Sequence, residues 1–341
     1  MQITCALEGP NVTSEDYVTL LYQKFLGRQP DSAGLKHHVA FLDATGDLKL
    51  IVDKIIASSE FRDKQESIDL APWIKIASGM GRPFVIVDVG AQRLDFEDHI
   101  YAPIMKSGLD WKCIGFEPIA SRRLERIEAE ADKRLIMLDA FIGDGKRHTF
   151  HSVTDSGSSS LLQLNNTFNA DYEHISTLSV INEEEVDTKR LDDVLLEEPF
   201  IDFLKLDIQG FEKYALEGAS KTLSRTNIIH VETLFAQMYE RQGFFSDIDT
   251  LLRDAGFEFI DFQQMSRYRY INVPFPSKRG ERLIWGDAFY ARTLDLARDP
   301  PSSYFAQAAA ASLIYNKPGL AQHILERGRL SQFLTRQPVD S

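Results

Sequence analysis

The chain has 341 residues, 43% of them hydrophobic, and a net charge of −13, which argues against a general nucleic-acid or anionic-membrane surface while leaving room for local basic patches. Its length exceeds the ~100–200 residues of an ordinary domain, so one full domain with appendages is expected, with ample material for a core. Cys5 and Cys113 are the only cysteines, residues 1–10 lack a basic start and an apolar stretch, and no apolar run reaches 18 residues; a disulfide framework is excluded and a cytoplasmic protein with no membrane insertion is expected.

In chain order, 1–66 reads as a helical unit. Thr13 or Ser14 caps a first helix with acids in its first turn, and Tyr17, Leu20, Leu21 and Phe25 recur at helical spacing. Residues 27–31 break it, 32–44 and 48–57 read as two further helices, and Ser58-Ser59-Glu60-Phe61-Arg62 closes the unit. Arg28 and Asp31 fit an inter-helix turn fixed by an ion pair.

The central part, 67–298, reads as an α/β domain. Phe84-Val85-Ile86-Val87-Asp88-Val89-Gly90-Ala91 is a buried strand entering a tight turn, 94–107 can form the crossover helix, and Trp111-Lys112-Cys113-Ile114-Gly115-Phe116-Glu117-Pro118 is a second strand ending in an acid. In open α/β sheets such a glycine turn allows close backbone approach, and an acid ending the next strand is placed for ribose hydroxyls. Phe203-Leu204-Lys205-Leu206-Asp207-Ile208-Gln209-Gly210 is a further buried strand, with a carboxylate at its carboxyl end, where ligands of such sheets sit. A helical pattern over 213–223 follows, then Asn227-Ile228-Ile229-His230-Val231-Glu232 as a strand and 245–255 as a helix. Residues 257–262 and 287–292 read as a closing antiparallel pair joined by a long loop. Beyond Pro300-Pro301, segments 302–314 and 319–327 read as a helical hairpin within a C-terminal extension, 299–341, serving as a cap on the sheet or as a partner-binding arm.

Asp88-Val89-Gly90-Ala91, Gly115-Phe116-Glu117-Pro118, Ser158-Ser159-Ser160-Leu161, Lys205 through Glu212, and Leu216-Glu217-Gly218-Ala219, in this order, resemble the FkbM family of S-adenosylmethionine-dependent methyltransferases over roughly 80–292. The resemblance implies a class I methyltransferase (Rossmann-like) fold, S-adenosylmethionine as cofactor, and methyl transfer to an oxygen, commonly a hydroxyl of a sugar, glycan or related natural product. The family turn carries an asparagine and a second glycine where this chain has Gln92 and Leu94, which motivates a rival reading as a non-catalytic scaffold on a degenerate fold. Leu26 through Leu35 with Ser59-Glu60-Phe61 is similar to a domain of unknown function related to phycobilisome linker modules, which implies a protein-interaction unit.

The candidate cofactor residues are Asp88, Gly90, Ala91, Glu117 and Asp139. Methyl transfer to an aliphatic hydroxyl needs its proton removed; Asp207 is the first candidate to orient the acceptor or the sulfonium end, with His230 and Glu232 as candidate bases at the neighbouring strand end. Strand alternation puts those two on one face, where they could instead pair with each other. Ser158 and Ser159 sit in a polar loop suited to a sugar, and Arg267 and Arg269 in a basic, aromatic stretch suited to an anionic group of a carbohydrate-type acceptor. Asp207 and Glu232 could hold Mg²⁺, but no cluster with ligand spacing accompanies them, and no metal is expected.

Overall fold

The computed structural model describes residues 13–23, 29–45, 51–52, 54–55, 70–93, 98–275, 277, 279–330 and 333. It divides into two compact units, Met1–Asp69 and Leu70–Ser341. In the first, helix α1 (Ser14–Leu21) starts at Thr13, whose hydroxyl accepts the amide of Asp16 at 3.2 Å while the Asp16 carboxylate accepts the amide of Thr13 at 2.9 Å. This reciprocal capping satisfies two amides that the first turn would leave open. Helix α2 (Ser32–Thr45) follows Asp31, whose Oδ1 accepts the amide of Gly34 at 2.8 Å. Val18, Leu21, Tyr22, Leu42, Ile51, Val52 and Ile55 form this unit's core. Phe25, Arg28 and 58–62 lie outside the described residues.

The second unit opens with α3 (Ala71–Ser78) and builds a seven-stranded sheet in the order β3-β2-β1-β7-β8-β10-β9. Its strands are β1 (Phe84–Val89), β2 (Trp111–Phe116), β3 (Leu135–Leu138), β7 (Ile201–Leu206), β8 (Thr226–Leu234), β9 (Phe257–Tyr268) and β10 (Arg282–Arg292). All neighbours are parallel except β10, which runs antiparallel to both β8 and β9. The central strands are buried along their whole length, which is why they read as continuous apolar runs.

Among the described residues of the β1–β2 crossover, 98–101 are not helical and the helix expected over 94–107 is α4 (Ala102–Lys106), five residues long; 94–97, including Leu94, lie outside the described residues. Helix α5 (Ala120–Glu130) links β2 to β3. The helical pattern over 213–223 is split into Glu212–Glu217 and Ser220–Leu223 around Gly218. That glycine lets the chain pass within reach of the Gly143 carbonyl, which a Cβ would approach to 2.5 Å. The last two strands are about twice as long as expected, so that Met265 through Tyr268 is strand rather than loop.

A second sheet, in the order β4-β6-β5, is formed by Phe141–Ile142, Val180–Lys189 and Arg147–Val153. The C-terminal helix Pro301–Ala309 continues as a π-helical turn, Ala310–Ile314, followed by Pro318–Arg327. Ser303 through Ile314 are buried all round, and Gln307 donates to the carbonyls of Asn227 (3.2 Å) and Arg292 (2.7 Å). The run of alanines brings this helix close enough for those bonds, and it covers the sheet.

At the amino ends of the central strands, buried Asp202 accepts both ends of the Arg82 guanidinium (2.6 and 2.9 Å), the amide of Val85 (2.8 Å) and the Asn227 side chain (2.9 Å). It ties β1, β7 and β8 together through one carboxylate. Asp202→Ala would leave the buried Val85 amide and Asn227 side chain without this partner and strip the partly buried Arg82 of its counter-charge, and should lower the unfolding free energy by about 2–3 kcal/mol in urea titration.

Candidate active site

The chain adds strands in one direction from β1 to β3 and in the other from β7 to β8, so the sheet's switch point lies between β1 and β7. Ligands of open α/β sheets sit outside the carboxyl ends at such a point. There the turn after β1 takes Gly90 to φ +82°, and a Cβ on it would stand 1.9 Å from the Asp207 carbonyl. The close approach that demands glycine is therefore made first by the protein itself. The amides of Gly90 and Ala91 both donate to the Phe116 carbonyl, at 3.2 and 3.0 Å, fastening the turn to β2. Ala91 is buried.

Asp207 follows β7, with 36% of its side chain exposed. Lys205 Nζ lies 3.1 Å from its Oδ2 and Gln209 Nε2 donates to its Oδ1 at 3.0 Å. The same Gln209 amide donates to Glu232 Oε2 at 3.2 Å. Gln209 adopts φ +58° and is held by the Ser160 hydroxyl on its carbonyl (2.7 Å), while the Tyr239 hydroxyl lies 3.1 Å from its Oε1. Burial, with the carboxylates of Asp207, Glu212 and Asp287 nearby, pushes Glu232 well above the usual carboxylate range. Glu212 is raised by burial to about 8 and accepts the amide of Ile208 at 2.7 Å.

One step deeper along the strands, Asp88, Lys205, His230 and Phe289 are in register across β1, β7, β8 and β10, so their side chains share a face. Asp88 has no exposed surface. Tyr101 donates to it at 2.5 Å and Arg126 at 2.8 Å, and Lys205 stands 3.7 Å away. Burial would raise its pKa, but Lys205 and Arg126, with His99 and Tyr101, outweigh that and hold it at about 2. His230 and Glu232 do not pair. His230 bonds Tyr315 at 3.1 Å, packs beside Phe203 and Phe289, and burial with the nearby Lys205 charge drives its pKa to about 3, leaving it neutral.

Glu117, after β2, is buried, and burial raises its pKa. Its Oε1 accepts the Ile119 amide at 2.9 Å, and no other hydrogen bond to this carboxylate is present among the described residues. Asp139 sits on the rim, its side chain 70% exposed and paired with Arg123 at 3.0 Å; Arg123 also donates to the carbonyls of Glu117 and Pro118. The loop serines are engaged locally, Ser158 with Asp155 at 3.1 Å and Ser159 with the Val153 amide at 3.2 Å. Arg269 is bound by Glu173, while Arg267 is exposed at the end of β9. The sequence reading did not single out Lys205, Gln209, Glu212, Tyr239 or Arg126. For Lys205 and Gln209 a signal existed, since side chains two positions either side of a strand-end acid share its face. Among the described residues no group of three or more His, Cys, Asp or Glu is arranged to hold a metal ion.

Seven strands in this order, with the penultimate position antiparallel and a glycine turn and acids at the switch point, define a class I methyltransferase fold. Residues 88–259, half of the chain, match the methyltransferase FkbM domain, and the chain belongs to that family, whose members are S-adenosylmethionine-dependent. Residues 6–65 match a domain of unknown function, DUF4214. The 2-O-methyltransferase NoeI of Sinorhizobium fredii (strain NBRC 101917 / NGR234) is 26% identical over 135 residues, covering 38% of this chain and 56% of that protein, so the match spans little more than half of the relative's length. Magnesium protoporphyrin IX methyltransferase (ChlM) from Synechocystis PCC 6803, solved with bound SAM, has 12% identity over 84% of this chain and 100% of its own, with a TM-score of 0.32. The 1,6-didemethyltoxoflavin-N1-methyltransferase of Burkholderia thailandensis has 13% identity over 84% and 94%, with a TM-score of 0.31.

The residues present fit the cofactor at its adenosine end. Glu117 keeps acceptor capacity for a diol at the end of the strand next to the Gly90 turn, and Asp139 lies one strand further out. Neighbouring strands are about 4.8 Å apart, which puts Glu117 and Asp207 roughly 10 Å from each other across β1, with the crevice between them.

Glu212 gives this region a pH signature. Burial pushes its carboxyl from the usual glutamate value of 4.5 up to about 8, so the folded state holds an extra proton between those values. The stability it contributes is present below 4.5 and is lost as pH rises through about 8. Glu212→Gln keeps an acceptor for Ile208, and in urea titrations across this window it should make the wild-type decline shallower, leaving the part that Glu232 contributes. Parallel curves for the two proteins would contradict the assignment.

Proposed function

We propose that the chain is an O-methyltransferase acting on a hydroxyl of a sugar, glycan or related natural product. The observation that carries the reading is Asp207, a half-exposed carboxylate at the switch point, fixed from two sides by Lys205 and Gln209. Bound S-adenosylmethionine supplies an activated methyl group. In this proposal Glu117 holds the ribose hydroxyls, the Gly90-Ala91 turn lies against the methionine portion, and Asp139 borders the adenine. Asp88 acts from behind, as a positioning residue through Lys205 and the Ala91 carbonyl that Arg126 holds at 2.9 Å.

Asp207 accepts the proton of the acceptor hydroxyl, the step an aliphatic alcohol needs before its oxygen can attack. Lys205 keeps it oriented. Burial disfavours the ammonium, but the Asp207 and Asp88 carboxylates outweigh burial and raise its pKa, so the charge persists. Glu232, held protonated, donates toward the acceptor instead of serving as a base. His230, neutral and sealed by Tyr315, supports the strand ends. Oxygen as the nucleophile is supported by the kinship to a protein named as a 2-O-methyltransferase. Ser158, Ser159 and Arg267 remain candidates for the acceptor side, while the Glu173 pair leaves Arg269 little to offer an anion.

Calorimetry with S-adenosylmethionine, followed by transfer of labelled methyl to a panel of free glycans, tests the proposal. Glu117→Ala should weaken cofactor binding about 10–100-fold, the loss of hydrogen bonds to a charged group. Asp207→Asn should bind the cofactor normally and lose turnover about 10²–10⁴-fold. Undiminished turnover in Asp207→Asn would remove it as the base, and a folded protein that binds no cofactor would overturn the enzymatic reading.

A further inference from the structure

The connection between β9 and β10 leaves the sheet at its reactive edge. Strand β8 runs toward Glu232 and Leu234, Trp285 of β10 is in register with Leu234, and Tyr268 of β9 with Arg282. At about 3.3 Å per residue the hairpin therefore extends roughly 10 Å beyond the end of β8 before it turns. What it carries there differs from the rest of the surface. Ile271 (42% exposed), Val273 (39%) and Phe275 (93%) present large apolar side chains within five residues. Isolated exposed apolar residues are ordinary, but a cluster at a protruding tip marks an interaction surface.

Its charge is reversed as well. Residues 265–282 hold five basic side chains, Arg267, Arg269, Lys278, Arg279 and Arg282, against the single acid Glu281, in a chain of net charge −13. Glu173 takes up Arg269, whereas Arg267, Arg279 and Arg282 make no ion pair among the described residues. The inner face of the hairpin end is anchored. Trp285 donates to the Tyr268 hydroxyl at 3.0 Å, and Tyr270 bridges to Tyr172. The apolar and basic groups thus project from a fixed base.

We propose that this tip docks on an anionic phospholipid surface, with Phe275 and Val273 entering the boundary between headgroups and acyl chains and Arg267, Arg279 and Arg282 lying among the phosphates. Apolar residues flanked by basic ones are what such a surface selects, since burial and charge attraction add. The overall acidity keeps the remainder of the molecule off the membrane and so orients it tip first. The catalytic edge then faces the headgroup layer, which suits an acceptor displayed there. The docking does not depend on the acceptor's chemistry, and its test reads no turnover.

The full chain is mixed with vesicles of phosphatidylcholine alone or of phosphatidylcholine with phosphatidylglycerol, and binding is measured by flotation at low and high salt. Binding should require phosphatidylglycerol and weaken with salt as the charges are screened. Phe275→Ser should reduce partitioning roughly tenfold through the lost apolar burial, and Arg279→Glu by roughly tenfold or more through reversal of one surface charge. Both side chains are at the surface, so neither change threatens the fold. Absence of wild-type binding, or binding that neither substitution alters, would overturn the proposal. So would sedimentation without lipid showing that Phe275 instead holds two copies of the chain together.

Discussion

Lys205 is the charge on which the carboxyl ends of the sheet depend. It stands between Asp88 and Asp207, at 3.7 and 3.1 Å, nearly out of contact with water. At an effective dielectric constant of ~20 each contact is worth on the order of 5 kcal/mol before the cost of desolvation is subtracted. Arg126, with no exposed side-chain surface, closes the other side of Asp88. Glu130 accepts the Nε of the same guanidinium at 3.0 Å, so two cations hold three carboxylates, and the buried Asp88 keeps its charge only because both cations face it. The further carboxyls Glu212 and Glu232 are buried beside Asp207, and burial outweighs what Lys205 offers Glu232, so both are held protonated. Asp207 is the member of the group that reaches solvent.

The parts of this arrangement that were legible in the sequence are those where position determines environment. A continuous apolar run becomes a central strand, and an acid at its carboxyl end faces the crevice; Glu117 and Asp207 needed no further information. Arg126 was not legible, because the pattern around it points the wrong way. Helix α5 exposes Leu124 (56%) and Ile127 (43%) while burying Arg126 completely, the reverse of an ordinary amphipathic helix. Asp88, Tyr101 and the Ala91 carbonyl, all distant in the chain, draw the guanidinium inward, and Glu130 one turn on takes its Nε. Strand β6 was hidden for a related reason. Its Asn182, Glu183, Glu184 and Glu185 are exposed, so it presents no apolar alternation, and its identity rests on pairing with β5.

The C-terminal helices show how a surface-looking segment can be fixed by composition. A helix that is small and apolar on every side must be covered on every side. Its π turn delivers Tyr315 onto Phe289 and His230, the ring centroids of Tyr315 and Phe289 being 3.7 Å apart. The same contact that finishes the core therefore also engages His230 through the Tyr315 hydroxyl.

Gln209 and Gly210 join the core to the carboxyl ends of the strands. Both are left-handed, at φ +58° and +92°, and for the glutamine this costs on the order of 1–2 kcal/mol. The cost is offset by contacts that come from outside the turn. Ser160 follows β5 and Tyr239 follows β8, and each holds one end of Gln209. Tyr239 also reaches the Ser158 carbonyl at 3.0 Å. The loop that carries Ser158 and Ser159 is therefore joined through Tyr239 to the amide that orients Asp207 and Glu232. A displacement of that loop has to alter the Tyr239 contact, and with it the restraint on Gln209. In this fold the polar loop and the carboxylate at the switch point form one mechanical unit, so the geometry at Asp207 responds to whatever the loop meets.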